Sequence, residues 1–124
     1  MLSHVMIGSN NLERSAAFYD QVLGALGAKQ FMKMENRIGY RSESGPAVML
    51  CAPFDGEPAH PANGSMLSFS APNQEAVAAF HAAALANGGT CEGPPGPRGG
   101  PDSKAYLAYV RDPDGNKIAA MHRG

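Results

Sequence analysis

The chain repeats itself. Sliding it along itself until Ser3 lies on Ser65 also lays Asn11 on Asn73 and Glu13 on Glu75. The same shift lays Ala16-Ala17-Phe18 on Ala78-Ala79-Phe80, Leu23 on Leu85 and Gly27 on Gly89, with no gap. Val5 falls on Leu67 and Ile7 on Phe69, so the apolar positions keep their phase. An ordered series of this kind points to duplication. It constrains the fold more than composition does, because whatever one half forms the other must form too, and each buries its apolar face on its neighbour. The 124 residues suffice for a single domain. It divides into a first unit at 1–53, a linker at 54–63 rich in Pro, Ala and Gly, and a second unit at 64–124.

Each unit has the same grammar. His4 to Gly8 alternates, with Val5 and Ile7 on one side and His4 and Met6 on the other, which predicts a strand. Asn11 to Leu26 predicts a helix, with Ala16, Phe18, Tyr19, Val22, Leu23 and Leu26 at helical spacing and Gly27 at its C-terminal cap. Three short strands follow, Lys29 to Met34, Arg37 to Ser42 and Ala47 to Cys51. The second unit runs through a strand at Ser65 to Ser70, a helix at Gln74 to Ala86 and a short strand at Thr90 to Glu92. It ends in a hairpin of Lys104 to Arg111 and Asn116 to His122 across Asp112-Pro113-Asp114-Gly115. The fold class is therefore α+β, built of paired βαβββ modules. Gly93 to Asp102, rich in Pro and Gly, is expected to be a long mobile loop without regular structure.

Composition excludes several functions. Apolar residues make up 44% and charged residues 17%, as in a globular chain, and the net charge is -1. Lys and Arg are scattered along the sequence, which argues against a nucleic-acid or anionic-membrane partner. No apolar run approaches the roughly 20 residues of a membrane span. The N-terminal residues do not read as a signal peptide, so a cytoplasmic location with reduced Cys51 and Cys91 is expected. There is no phosphate-binding glycine loop, no Cys-x-x-Cys and no nucleophile elbow.

The paired βαβββ units, the opening His4, Ile7, Ser15, Phe18 and Tyr19, and the closing Arg-Asp-Pro-Asp-Gly-Asn-Lys-Ile at Arg111 to Ile118 resemble the vicinal-oxygen-chelate superfamily. That superfamily includes glyoxalase I, bleomycin-resistance proteins and extradiol dioxygenases. The resemblance covers the whole chain. It implies a half-open barrel with a cleft in which a divalent ion binds two vicinal oxygens of a substrate and acts as a Lewis acid. It also implies a homodimer.

Carried over position by position, the resemblance puts the first metal ligand at His4. The related position in the second unit is Met66, the acid of the last strand is replaced by Ala119, and the acid of the fourth strand falls near Met49. A catalytic divalent site needs about three protein ligands, and a thioether is a poor ligand for Mg, Mn or Zn. No resident metal or other cofactor is therefore expected. His4 is also explained as a strand histidine with its ring satisfied.

Strand alternation aims Met6, Met49, Met66 and Met121 at the cleft. They fit ordinary core filling and an adaptable apolar pocket equally well. Tyr106 and Tyr109 lie on opposite faces of one strand, and one of them should face the cleft. Cys51 reads as a buried small residue, His60 and His122 as solvated, and His81 as helix packing. Glu13 and Glu75 suit first helical turns, and Asp112 and Asp114 suit a turn. The reading favoured is a small-molecule binder with a degenerate metal site and an apolar cleft. The alternative is an active lyase, isomerase or dioxygenase that holds Zn, Ni, Mn or Fe through non-standard ligands.

Overall fold

Each half of the chain folds as strand, helix and three strands in the computed structural model, which describes all residues from Met1 to Gly124. The first unit contains β1 (His4–Gly8), α1 (Leu12–Gly24), β2 (Lys29–Met34), β3 (Arg37–Arg41) and β4 (Ala47–Cys51). The second contains β5 (Leu67–Ser70), α2 (Gln74–Ala86), β6 (Thr90–Arg98), β7 (Ala105–Arg111) and β8 (Lys117–Arg123). The strands form two four-stranded sheets, ordered β1-β4-β3-β2 and β5-β8-β7-β6. The opening strand of each unit runs parallel to the closing one, β1 to β4 and β5 to β8, and the other pairs are antiparallel. Neither sheet closes on itself, so the paired βαβββ architecture is half-open.

The repeat is visible in local chemistry. Asn11 and Asn73 cap the two helices, each side chain accepting the amide three residues on, Arg14 N at 3.0 Å and Ala76 N at 2.8 Å. The repeated glycines serve different needs. Gly27 takes φ +89° to end α1. In the second unit that role passes to Gly88, at φ +94°, while Gly89 is a point of close approach. A Cβ on Gly89 would lie 2.7 Å from the Phe18 ring and 2.7 Å from the Arg111 carbonyl oxygen.

One face of each sheet packs on the helices. Ile38, Tyr40, Val48 and Leu50 line it in the first sheet, and Ala108, Val110, Ile118 and Ala120 in the second. They join Phe18, Tyr19, Val22 and Phe80 in a single core that runs through both units. No strand of one sheet lies within 8 Å, Cα to Cα, of a strand of the other, and the units meet through α1 against α2.

A second connection is the β7–β8 turn. The buried carboxylate of Asp112 accepts from the Tyr19 hydroxyl at 2.7 Å, and from the amides of Asp114 and Asn116 and Asn116 Nδ2, each at 2.9 Å. Asn116 Nδ2 also donates to the Gly8 carbonyl at 3.0 Å. Asp114 accepts from Arg14 Nη2 at 2.7 Å and from the Asn10 amide at 3.2 Å. The turn expected at this motif is therefore also a clamp on the first unit.

Two expectations are corrected. Gly93 to Asp102 is not a mobile loop over its whole length, because β6 continues to Arg98, paired with β7. Prolines are tolerated there because β6 is an edge strand and its register shifts between Gly93 and Gly96, so Pro94 and Pro95 need donate no ladder bond. His122 is not solvated. It is half-buried on the helix-facing side, with Nδ1 3.1 Å from the Ala71 carbonyl oxygen. His60 is exposed as expected, and His81 bridges helix to sheet, with Nε2 3.2 Å from Cys91 Sγ.

Burial, reinforced by the adjacent Asp112 charge, holds the Tyr19 hydroxyl well above its ordinary pKa of 10.0. A group raised on folding contributes stability that is intact below its unfolded value and is lost as pH rises past it. Unfolding free energy from urea titration should therefore fall above about pH 10, and less steeply in Tyr19→Phe. At neutral pH the same substitution should cost about 1–3 kcal/mol, because it leaves the buried Asp112 carboxylate short of a donor.

Candidate functional site

The helices cover one face of each sheet, so the other faces are where a ligand has access. Residues paired across strands share a face, and faces alternate along a strand. On the first sheet the open face carries His4 and Met6 from β1, Met49 and Cys51 from β4, and Arg37, Gly39 and Arg41 from β3. Met6 sits opposite Met49, and Met49 opposite Gly39. The missing side chain of Gly39 makes room there. A Cβ would lie 2.9 Å from Met49 Sδ and 2.9 Å from the Phe31 ring. Met49 is buried, whereas Met6 is 50% exposed. The Arg41 guanidinium lies 4.1 Å from the Phe31 ring centroid. Arg37 Nε is buried with no hydrogen-bond partner.

On the second sheet the open face carries Ser68 and Ser70 from β5, Leu107, Tyr109 and Arg111 from β7, and Lys117, Ala119 and Met121 from β8. Ala119 is fully buried in a small apolar cluster with Ala105 and Leu107, against which Tyr109 and Met121 pack. Arg98 and Lys117 each hold their charge 5.4 Å from the Tyr109 ring centroid. Arg111 Nε donates to Glu92 Oε1 at 3.1 Å and Nη1 to the Gly115 carbonyl at 2.9 Å.

His4 and Met66 keep the phase the repeat implies, opposite to the core-packed Val5 and Leu67. Both are exposed, and the His4 ring Nδ1 lies 2.9 Å from Ser3 Oγ. Met66 precedes β5 and lines a concavity of about 590 Å³ with Arg111, Lys117 and the segment Pro61 to Ser65, where the linker enters the second unit. A neighbouring concavity of about 220 Å³ shares Pro61, Ala62, Ser65 and Lys117 and reaches Met6 and Gly8. Of the tyrosine pair, Tyr109 takes the open face. Tyr106 pairs with His122 and packs on the main core. Nowhere do three His, Cys, Asp or Glu side chains converge.

Sequence reading missed the charge. Lys and Arg look scattered along the chain, but the fold gathers most of them, including Arg37, Arg41, Arg98, Arg111, Lys117 and Arg123, onto the open faces. The one acid found there is Glu92, already paired with Arg111. The signal was available, since these cations sit in strand phase with the methionines rather than with the core residues.

The model of the Glyoxalase/Bleomycin resistance protein/Dioxygenase superfamily matches residues 1–120. A glyoxalase/bleomycin resistance protein from Albidiferax ferrireducens is similar over 99% of both chains, with 52% identity and a TM-score of 0.92. A family enzyme from Burkholderia phytofirmans shares 20% identity over 98% of both chains, with a TM-score of 0.75. A lactoylglutathione lyase from Agrobacterium tumefaciens shares 20% identity over 98% of this chain and 92% of its own, with a TM-score of 0.70. These last two likenesses are of fold. A comparison with curated proteins finds no match.

The two thiols differ in setting. Cys91 is exposed on β6, while Cys51 is half-buried, and burial pushes its thiol up against the opposing pull of Arg37. A disulfide reagent at mildly alkaline pH should react in two phases of equal amplitude. Cys91→Ser should remove the fast one.

Proposed function

This chain belongs to the Glyoxalase/Bleomycin resistance protein/Dioxygenase superfamily, and from that premise we propose that it binds a small molecule on its open sheet faces without a resident divalent metal. The reading takes residues 1–124 as one domain with its linker at 54–63, acting as a homodimer in the cytoplasm. The observation that carries it is the state of the four inherited ligand positions. His4 is an imidazole, Met66 and Met49 are thioethers, and Ala119 is sealed in an apolar cluster. These residues do not fit a divalent ion. A single imidazole cannot offset the dehydration of such an ion, and the surrounding Lys and Arg charges repel it.

Apolar exposure supports the ligand and the dimer together. Met6, Phe31, Met34 and Met66 are each 40% exposed or more, and apolar side chains left on an accessible sheet face gain by being covered. A second copy laid over these faces would shelter them and enclose a cleft. No helix is long and apolar enough to cross a membrane.

Three measurements test the reading. Elemental analysis of protein purified without chelator or added metal should find no stoichiometric Zn, Ni, Mn or Fe. Near one equivalent per chain that His4→Ala removes would overturn it. Light scattering should give twice the chain mass of 12.9 kDa, and an environment-sensitive apolar dye should bind saturably. Met66→Glu should weaken the dye by about tenfold, because it puts a charge where the apolar body packs.

A further inference from the structure

The helix side of the second sheet carries a nucleophile and a base that the open faces do not use. Cys91 Sγ on β6 lies 3.2 Å from Nε2 of His81 on α2. Cys91 pairs with the core residue Val110, so it sits on the helix-facing side of the sheet. The thiol is exposed, and β6 is an edge strand, so no further strand flanks it. Burial does not force this pairing, because an exposed thiol can be satisfied by water. Nor does the repeat supply it, since the shift that lays Phe18 on Phe80 lays Tyr19 on His81 and Lys29 on Cys91. The nearest charges along the strand and across the ladder, Glu92 and Arg111, pair with each other. Burial lowers the His81 pKa from its ordinary value of 6.5, so the ring is neutral at neutral pH. With the ring proton on Nδ1, Nε2 keeps a lone pair for the thiol hydrogen.

We infer that Cys91 and His81 form a thiol-modification site, at which Cys91 takes up half of a low-molecular-weight disulfide and His81 Nε2 accepts the thiol proton. A base in hydrogen-bond contact is what activates a cysteine for attack. Sγ attacks one sulfur of the disulfide as its hydrogen passes to Nε2. The new Sγ–S bond forms, the S–S bond of the reagent breaks, and the second sulfur departs as a thiolate. That thiolate takes the proton from His81 and is released as a thiol, which regenerates the neutral imidazole. Cys91 is oxidised and the departing half of the reagent is reduced, with no other oxidant needed. The open flank of β6 leaves room for a disulfide to approach. Cys51 has no such arrangement, being half-buried with Arg37 beside it rather than a base. Excess thiol reverses the reaction, so the state of Cys91 follows the ratio of disulfide to thiol around the protein. The pair lies on the opposite face of the sheet from Tyr109, so this site stands or falls apart from the small-molecule reading.

Hydroxyethyl disulfide, which is small and uncharged, tests this on the full chain at neutral pH, read by intact mass and peptide mapping. One mixed disulfide per chain should form on Cys91 well before Cys51 reacts, and dithiothreitol should remove it. His81→Gln can hydrogen-bond but cannot take up a proton. It should slow the reaction about tenfold, because only a few per cent of an ordinary thiol is ionised at that pH. The gap should close above about pH 9, where a thiolate forms unaided. Urea titration checks that the variant is folded. If it is not, His81→Ala, which suits a helix interior, carries the test, and imidazole added to the buffer should restore the rate. Equal rates for the parent and the folded His81 variant at neutral pH would overturn the inference and leave the pair as helix packing. First reaction at Cys51 would overturn it as well. A gap that stays constant through pH 9 would overturn the role of His81 as the base.

Discussion

The carboxylate of Asp112 joins the two halves of the molecule. It lies in the second unit, yet one of its donors is the hydroxyl of Tyr19, on the helix of the first. Its remaining bonds go to the amides and side chain of its own turn, so the charge is buried without being left unsatisfied. The same turn reaches β1 through Asn116 and α1 through Asp114. Without this clamp the units would meet mainly through helix packing, which fixes distance better than orientation. With it, the two open faces hold a defined relation to each other.

That relation determines what surface is left for function. The core takes one face of each sheet, together with both helices. The other faces keep methionines, two aromatic rings and a set of cations. Exposed apolar side chains and cations without acidic partners therefore share the open faces. A divalent ion would meet the opposite of what it needs there, few lone pairs and much like charge.

The repeat made most of this legible in advance. Strand phase, both helix caps and the helix-facing core can be read from Asn11, Phe18 and Val5 and their counterparts. What could not be read followed from contacts between distant positions. Asp112 looked like an ordinary turn residue because Tyr19 lies far from it in sequence. Gly89 looked like a helix cap, whereas the Phe18 ring packs over it. The continuation of the Thr90 strand from Gly93 to Arg98 was hidden by its prolines, since no local rule reveals that it lies at the edge of a sheet, where donors are not needed. The cations were individually plain and collectively invisible, because only pairing across strands gathers them on one side.

The edge position of β6 has a consequence for how this protein behaves in a crowded solution. A free sheet edge is a template on which another chain can grow, and proteins that leave one unguarded polymerise. Here Pro94, Pro95 and Pro97 break the row of amide donors on one outer edge, and the bulge in β2 with Lys29 and Lys33 disturbs the other. Two of the four sheet edges, β6 and β2, are thus guarded, while β1 and β5 carry neither a proline nor a bulge. A strand added by another chain would therefore go to β1 or β5 rather than to the proline-broken or bulged rim.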